Sequence, residues 1–184
     1  MTGVQTCALP ISLAFGKAEE QPPRLTRFAL RPLVEDLAEG EGLVVGRSVM
    51  TGPVTCLIEV PHGMTIRADA EQVHRVLTNL VRNACQAIAA TGQEGTIEIS
   101  AGESDSEWWI KVGDTGPGLP PRAREHLFAA FQGGARRGGT GLGLAIAAEL
   151  IRGHGGRLML DRSDAEGTDF SIHLPKANDG VAMQ

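Results

Sequence analysis

Residues 69–92, "DAEQVHRVLTNLVRNACQAIAATG", carry the strongest helical pattern in the chain and constrain its fold more than any other segment. Val73, Val76, Leu77, Leu80, Val81, Ala84 and Ile88 recur at steps of three and four residues. An α-helix gathers them into one stripe that must face a core. Asp69 stands where a side chain can cap the first turn, Gln72 occupies the capping-box position, and Gly92 lies where the chain has to leave the helix. A helix that is apolar on one side needs a second layer to cover that side.

The flanking segments predict a sheet for that layer. Short β-rich runs at 43–48, 54–60 and 64–67 precede the helix, separated by Gly and Pro. After it, "GTIEIS" and "EWWIKVGD" alternate apolar and polar positions around "ESD" and predict an antiparallel hairpin. "PRAREHLFAAF" predicts a short helix, "LGLAIAAELIRGHGG" a second one, and "RLMLDRS" with "TDFSIHLP" a closing pair of strands. Upstream, "LRPLVEDLAEGEG" predicts a helix with Pro32 in its first turn and Gly40 at its end. The order is that of an α/β (α+β) two-layer sandwich: a mixed, mainly antiparallel sheet with helices on one face, rather than a βαβ repeat. The domain is expected over 28–176, after a leader and linker, or the remnant of an upstream helix, at 1–27, and before a polar tail at 177–184.

A chain of 184 residues with 42% hydrophobic residues can bury a core of its own. Its net charge is −5 and its Lys and Arg are scattered, which excludes a nucleic-acid surface but leaves room for a small anion at one local site. Cys7, Cys56 and Cys85 show neither zinc-ligand spacing nor a disulfide framework, which predicts a reduced, cytoplasmic setting. No apolar run reaches the roughly 20 residues that span a bilayer, so if the full-length protein is membrane-bound its anchor is expected outside this chain. Residues 1–11, "MTGVQTCALPI", resemble the translation of a sequencing-library adapter; the natural chain is then expected to continue upstream, the alternative being a real but disordered N-terminus.

Three segments carry chemistry. "GGTGLGLAI" sets Gly139, Gly141 and Gly143 ahead of a helix, where bare N–H groups and the positive helix end can meet a phosphate; alone, such glycines serve packing equally well. In "VGDTGPGLP", Asp114 ends a predicted strand and Gly116 and Gly118 follow. A carboxylate there can accept from an exocyclic amine while glycines let a flat ring pass, or the Asp can simply cap a Gly-Pro turn. Asn79, Asn83 and Gln86 share one shoulder of the long helix. Amide oxygens at that spacing suit a hard cation such as Mg²⁺, or they cap a neighbouring loop.

Taken together, Asn-x-x-x-Asn on a helix, Asp-x-Gly-x-Gly after a strand and Gly-x-Gly-x-Gly into a helix resemble the GHKL ATP-binding fold, shared by sensor histidine kinases, type II topoisomerases, heat-shock chaperones and mismatch-repair ATPases. "NLVRNACQAI" is similar to the N box of the histidine kinases, "DTGPGLP" and "GGTGLGLAI" to their glycine boxes, "LFAAF" to the phenylalanine box before the ATP lid, and "GTDFSIHLP" to the closing strand. The resemblance implies ATP and Mg²⁺ as cofactors. It implies that Asn83 binds the metal, that Asp114 reads adenine, and that Gly139, Gly141 and Gly143 hold the phosphates. It also puts Asn79, Gln86, Gly116, Gly118, Thr140, Leu142 and Thr168 in the nucleotide-binding set, with Asn79 and Asn83 as the catalytic pair.

One residue speaks to the branch of the family. Hydrolysing relatives carry Glu four residues before the metal-binding Asn, and here that position is Asn79, which cannot act as a general base. Transfer to a protein acceptor is favoured, as in a histidine protein kinase. Gln86 and Ala87 depart from the commoner Lys and aromatic residue, in the style of nitrogen-regulator-like sensor kinases. Arg136 and Arg137 either replace the missing phosphate-contacting cation or are merely solvated. None of the five histidines, His62, His74, His126, His154 and His173, is followed by an acidic residue. The implied partners are therefore an upstream phosphoacceptor helical domain and a response regulator, in a full-length homodimer. An anti-sigma-factor-type serine/threonine kinase and a nucleotide-binding regulatory module are the alternatives.

Overall fold

The computed structural model describes residues 21–45, 54–125, 127–128 and 142–176. The leader, the second half of the first predicted strand, the end of the phenylalanine box, the arginine-containing loop and the tail lie outside the described residues.

A six-stranded sheet runs in the order β2-β3-β5-β6-β8-β7. Its strands are β2 (Val44–Val45), β3 (Val54–Glu59), β5 (Gly95–Glu103), β6 (Glu107–Asp114), β7 (Arg157–Asp164) and β8 (Gly167–Pro175). The pairings β2–β3 and β3–β5 are parallel and the other three antiparallel, as the mixed, mainly antiparallel prediction requires. The parallel β3–β5 pair is joined by a crossover through β4 (Thr65–Ala68) and α2 (Ala70–Ala89). Helices α1 (Leu30–Gly40), α2 and α4 (Gly143–Gly153) cover the sheet, and the short α3 (Pro121–Glu125) follows β6.

Strand alternation decides which face is covered. Ile97, Ile99 and Ala101 of β5, Trp108, Ile110 and Val112 of β6, and Phe170, Ile172 and Leu174 of β8 are buried. They join one cluster with Val73, Val76, Leu77, Leu80, Val81, Ala84 and Ile88 of α2 and with Ala147, Leu150 and Ile151 of α4. The helical stripe read from the sequence is buried in full. The opposite sheet face carries ion pairs: Lys111 to Asp169 at 3.1 Å, Arg162 to Asp169 at 2.9 Å and Arg157 to Glu107 at 2.9 Å. Each is solvated and screened and adds little, whereas each fully buried Leu or Ile contributes roughly 1.5–3 kcal/mol, so the apolar layer holds the fold.

Two local expectations are corrected. The stretch assigned to the linker contains a strand, β1 (Thr26–Ala29), which pairs antiparallel with β4 as a separate two-stranded sheet. The capping box is only half formed: Asp69 Oδ1 accepts from the N–H groups of Glu71 and Gln72, both at 3.1 Å, but Gln72 Nε2 donates to Gln21 O at 3.0 Å instead of reaching back. The N–H of Asp69 donates to His154 Nε2, 3.1 Å away and 85 residues on in the chain.

Candidate functional site

The site is built along α2. At one end the start of α4 comes against Asn79: a Cβ on Gly143 would lie 3.4 Å from Asn79 Oδ1. Two turns on, Ala87 meets the loop after β6, where a Cβ on Gly116 would lie 2.9 Å from Ala87 Cβ and 2.8 Å from Asp114 Oδ1. Asn83 stands midway on the same row, because residues four apart stack on one side of a helix. The row from Asn79 to Ala87 spans roughly 12 Å at about 1.5 Å per residue. Asn79 and Asn83 are half-buried and Gln86 is exposed, and none of the three amides hydrogen-bonds another described residue.

Asp114 ends β6 on the covered face, opposite Ile97 of β5 and Thr168 of β8, and is 8% exposed. Burial pushes its carboxyl above the usual carboxylate value; the N–H groups of Gly116 and Thr168 pull the other way, Asp169 adds to the rise and Arg162 opposes it. Gly116 N donates to Asp114 Oδ1 at 2.8 Å. That bond fixes the carboxylate's orientation at the strand end. Thr168 itself is buried.

The glycines around this carboxylate have a reason the sequence did not reveal. Gly118 has φ +72°, and a Cβ there would lie 2.1 Å from the carbonyl oxygen of Asp164 in β7; Leu119 N donates to Ser163 Oγ at 2.7 Å beside it. The loop after Asp114 is thus pinned to the β7–β8 turn by the protein's own backbone. Gly167, with φ +144°, closes the same junction, since its Cβ would fall 1.8 Å from the carbonyl oxygen of Asp114. Sequence reasoning gave Gly167 no role, although the glycine in "EGTDF" was a signal for it, and noted Ala87 only as a departure from the family's aromatic residue.

At α4, Leu142 is the N-cap, and among the described residues no side chain caps the helix. The N–H groups of a helix's first turn, with the positive end of the helix behind them, can meet an anion. The structure therefore brings Asn79, Asn83, Gly143 and, through Ala87, the Asp114 and Gly116 loop to one surface. Gly139, Thr140, Gly141, Arg136 and Arg137 lie outside the described residues. No group of three His, Cys, Asp or Glu among the described residues could hold a metal.

The histidines have structural partners. His154 Nδ1 lies 2.8 Å from Leu150 O, His173 Nδ1 lies 2.8 Å from Glu107 Oε1, and His74 Nδ1 lies 3.5 Å from Thr78 Oγ1. His62 sits in the turn before β4, and His126 is outside the described residues. No helix among the described residues is long and apolar enough to cross a membrane.

Comparison with known proteins gives this arrangement its context. The chain is 34% identical over 139 residues to the sensor protein DivL of Caulobacter vibrioides, covering 75% of this chain and 18% of DivL. It is 39% identical over 127 residues to the sensory histidine kinase/phosphatase NtrB of Salmonella typhimurium, covering 65% of this chain and 34% of NtrB. It thus spans about a third or less of these two curated relatives. The catalytic domain of histidine kinase ThkA matches in structure with a TM-score of 0.65 at 26% identity, covering 83% of this chain and 95% of that domain. ThkA in complex with the response regulator protein TrrA matches with a TM-score of 0.59 at 26% identity, over 83% of this chain and 42% of that one. Residues 68–178, which hold α2, the Asp114 loop and α4, match the model of the histidine kinase-, DNA gyrase B- and HSP90-like ATPases, and the chain belongs to that family.

Proposed function

We propose that this chain is the ATP-binding catalytic portion of a sensor histidine kinase, passing the γ-phosphoryl group of ATP to a histidine in an upstream helical domain that in turn supplies a response regulator. The observation that carries the reading is the row Asn79, Asn83, Ala87 on α2, with the start of α4 at one end and a buried, oriented carboxylate at the other. Adenine fits the Asp114 end, where the carboxylate accepts from an exocyclic amine and is oriented by Gly116 N–H. The phosphates fit the Gly143 end, against the first N–H groups of α4.

Mg²⁺ fits the amide oxygens between these ends, which are hard donors not engaged by other described residues. Asn83 would hold it, and the ion supplies charge neutralisation at the phosphate oxygens. Asn79 flanks the phosphate end without a basic atom, so it positions and does not activate water. In the transfer, the bond from the γ-phosphorus to the bridging oxygen breaks, a bond to an imidazole nitrogen forms, ADP leaves with the electron pair, and the imidazole gives up its proton. Asn83→Ala is expected to remove the Mg²⁺-dependent part of ATP affinity and to leave binding without Mg²⁺ unchanged; equal losses in both titrations would show that Asn83 is not the metal ligand.

The kinase reading is tested with labelled ATP. By itself the chain is expected to yield no phosphohistidine, because none of its five histidines is followed by an acidic residue as an acceptor histidine is. Joined to its native upstream helices it should yield acid-labile phosphohistidine on those helices. Label on the isolated chain, or none on the joined protein, would overturn the reading.

A further inference from the structure

The segment ahead of β1, residues 21–25, is tied to the body of the domain at one junction. Asp69 divides its two carboxylate oxygens there: Oδ1 caps α2, and Oδ2 accepts from Arg24 N at 2.8 Å. Gln72 Nε2 adds the bond to Gln21 O, and Pro23 packs beside Gly153, where an added Cβ would lie 3.9 Å from Pro23 Cδ. The N–H of Asp69 goes to His154 Nε2 at the end of α4. With Leu150 O at 2.8 Å from Nδ1, the donor count fixes the ring as the tautomer that donates from Nδ1 and accepts at Nε2. Burial alone would raise the Asp69 carboxyl, but the N–H groups of Arg24, Gln72 and Glu71 outweigh it and hold it below the usual value, so the carboxylate stays ionised for this double task.

Helices α2 and α4 lie antiparallel, with Asn79 against Gly143 at one end and Asp69 against His154 at the other. The same α4 thus presents its start to the phosphate end of the site and its finish to the incoming segment. We propose that Asp69 and His154 are positioning residues that couple docking of residues 21–25 to nucleotide binding through α4. The inference rests on the nucleotide reading above. A helix is stiff along its axis, so holding its first turn on a ligand restricts its last turn, and ordering the segment against that last turn then costs less. Linkage makes the effect reciprocal. The docked segment tightens nucleotide binding by the same factor by which nucleotide holds the segment down.

Asp69→Asn separates the two tasks, because asparagine caps a helix as well as aspartate but offers Arg24 N–H no second acceptor oxygen. The experiment is amide hydrogen exchange of the whole chain, with and without saturating Mg·ATP, alongside calorimetric ATP affinity. In the native chain Mg·ATP is expected to slow exchange at Arg24 and Asp69 by about fivefold, and Asp69→Asn to weaken ATP by about the same factor, the lower end of typical coupling. Glu71 and Gln72 should keep their protection in the variant while Arg24 loses its response to ATP. His154→Gln, whose side-chain oxygen can accept from Asp69 N–H, should retain the coupling, and His154→Ala should lose it. Native ATP binding with no change at Arg24 and Asp69, or native affinity in Asp69→Asn, overturns the coupling alone. Absence of any ATP binding by the native chain removes the nucleotide reading and this inference with it.

Discussion

Asp114→Asn is expected to abolish ATP binding at concentrations where the native chain is saturated, while the fold persists. Asparagine keeps an oxygen for Gly116 N–H, so the turn survives. What is lost is the charged acceptor, and an amide N–H aimed at the ligand's own donor takes its place. An unmatched polar pair in a site this buried costs about 3 kcal/mol or more, a factor of roughly one hundred in affinity. The raised pKa gives a second signature. The folded value lies above the unfolded one, so ionising Asp114 opposes folding at neutral pH; that cost shrinks as pH falls through the folded value and is gone below the unfolded one. Without nucleotide, Asp114→Asn should therefore be no less stable than the native chain at neutral pH. ATP affinity should weaken on acidification earlier than an ordinary carboxylate would dictate. Titration calorimetry at neutral and mildly acidic pH, with thermal melts of both proteins, checks each statement; tight ATP binding by the variant would remove adenine from Asp114.

Gly167→Ala is expected to be the most damaging small substitution in the domain. The backbone there has φ +144°, which residues with a Cβ rarely adopt, and the new methyl group would sit 1.8 Å from the carbonyl oxygen of Asp114. Relief requires moving either the start of β8 or the end of β6, and those strands are paired along Asp114 and Thr168. Strain and displaced pairing together cost about 3 kcal/mol or more. For a chain of this size that lowers the melting temperature by roughly 6–12 °C. Gly42→Ala is the control: its φ is +70° but nothing lies within 4 Å of the added methyl, so only the left-handed backbone is penalised, by about 1–2 kcal/mol. Equal melting shifts in the two variants would contradict the packing argument.

The fold was legible where local pattern and tertiary need coincide. The stripe on α2, the alternation in β5 and β6 and the order of elements each state which side must be buried, and the sheet obeys them. Strand β1 was not legible, because three of its four residues are exposed and it owes its form to its partner β4. The capping box misled for a related reason: Gln72 fits the local rule, but His154 lies 85 residues beyond Asp69 and takes the N–H first. In the candidate site, spacing together with the family resemblance singles out Asp114 and the asparagines, which lie at the end of β6 and along α2. Gly118 could be named but not explained; its reason is the Asp164 carbonyl, which only the folded β7–β8 turn brings near.

The most direct test of the account is calorimetric titration of the native chain with ATP and with GTP in the presence of Mg²⁺. If α2, Asp114 and the start of α4 form an adenine nucleotide site, ATP should bind with micromolar affinity and GTP, which presents a carbonyl where adenine has its amine, should bind at least tenfold more weakly. No heat with ATP, or equal affinity for the two nucleotides, would contradict it.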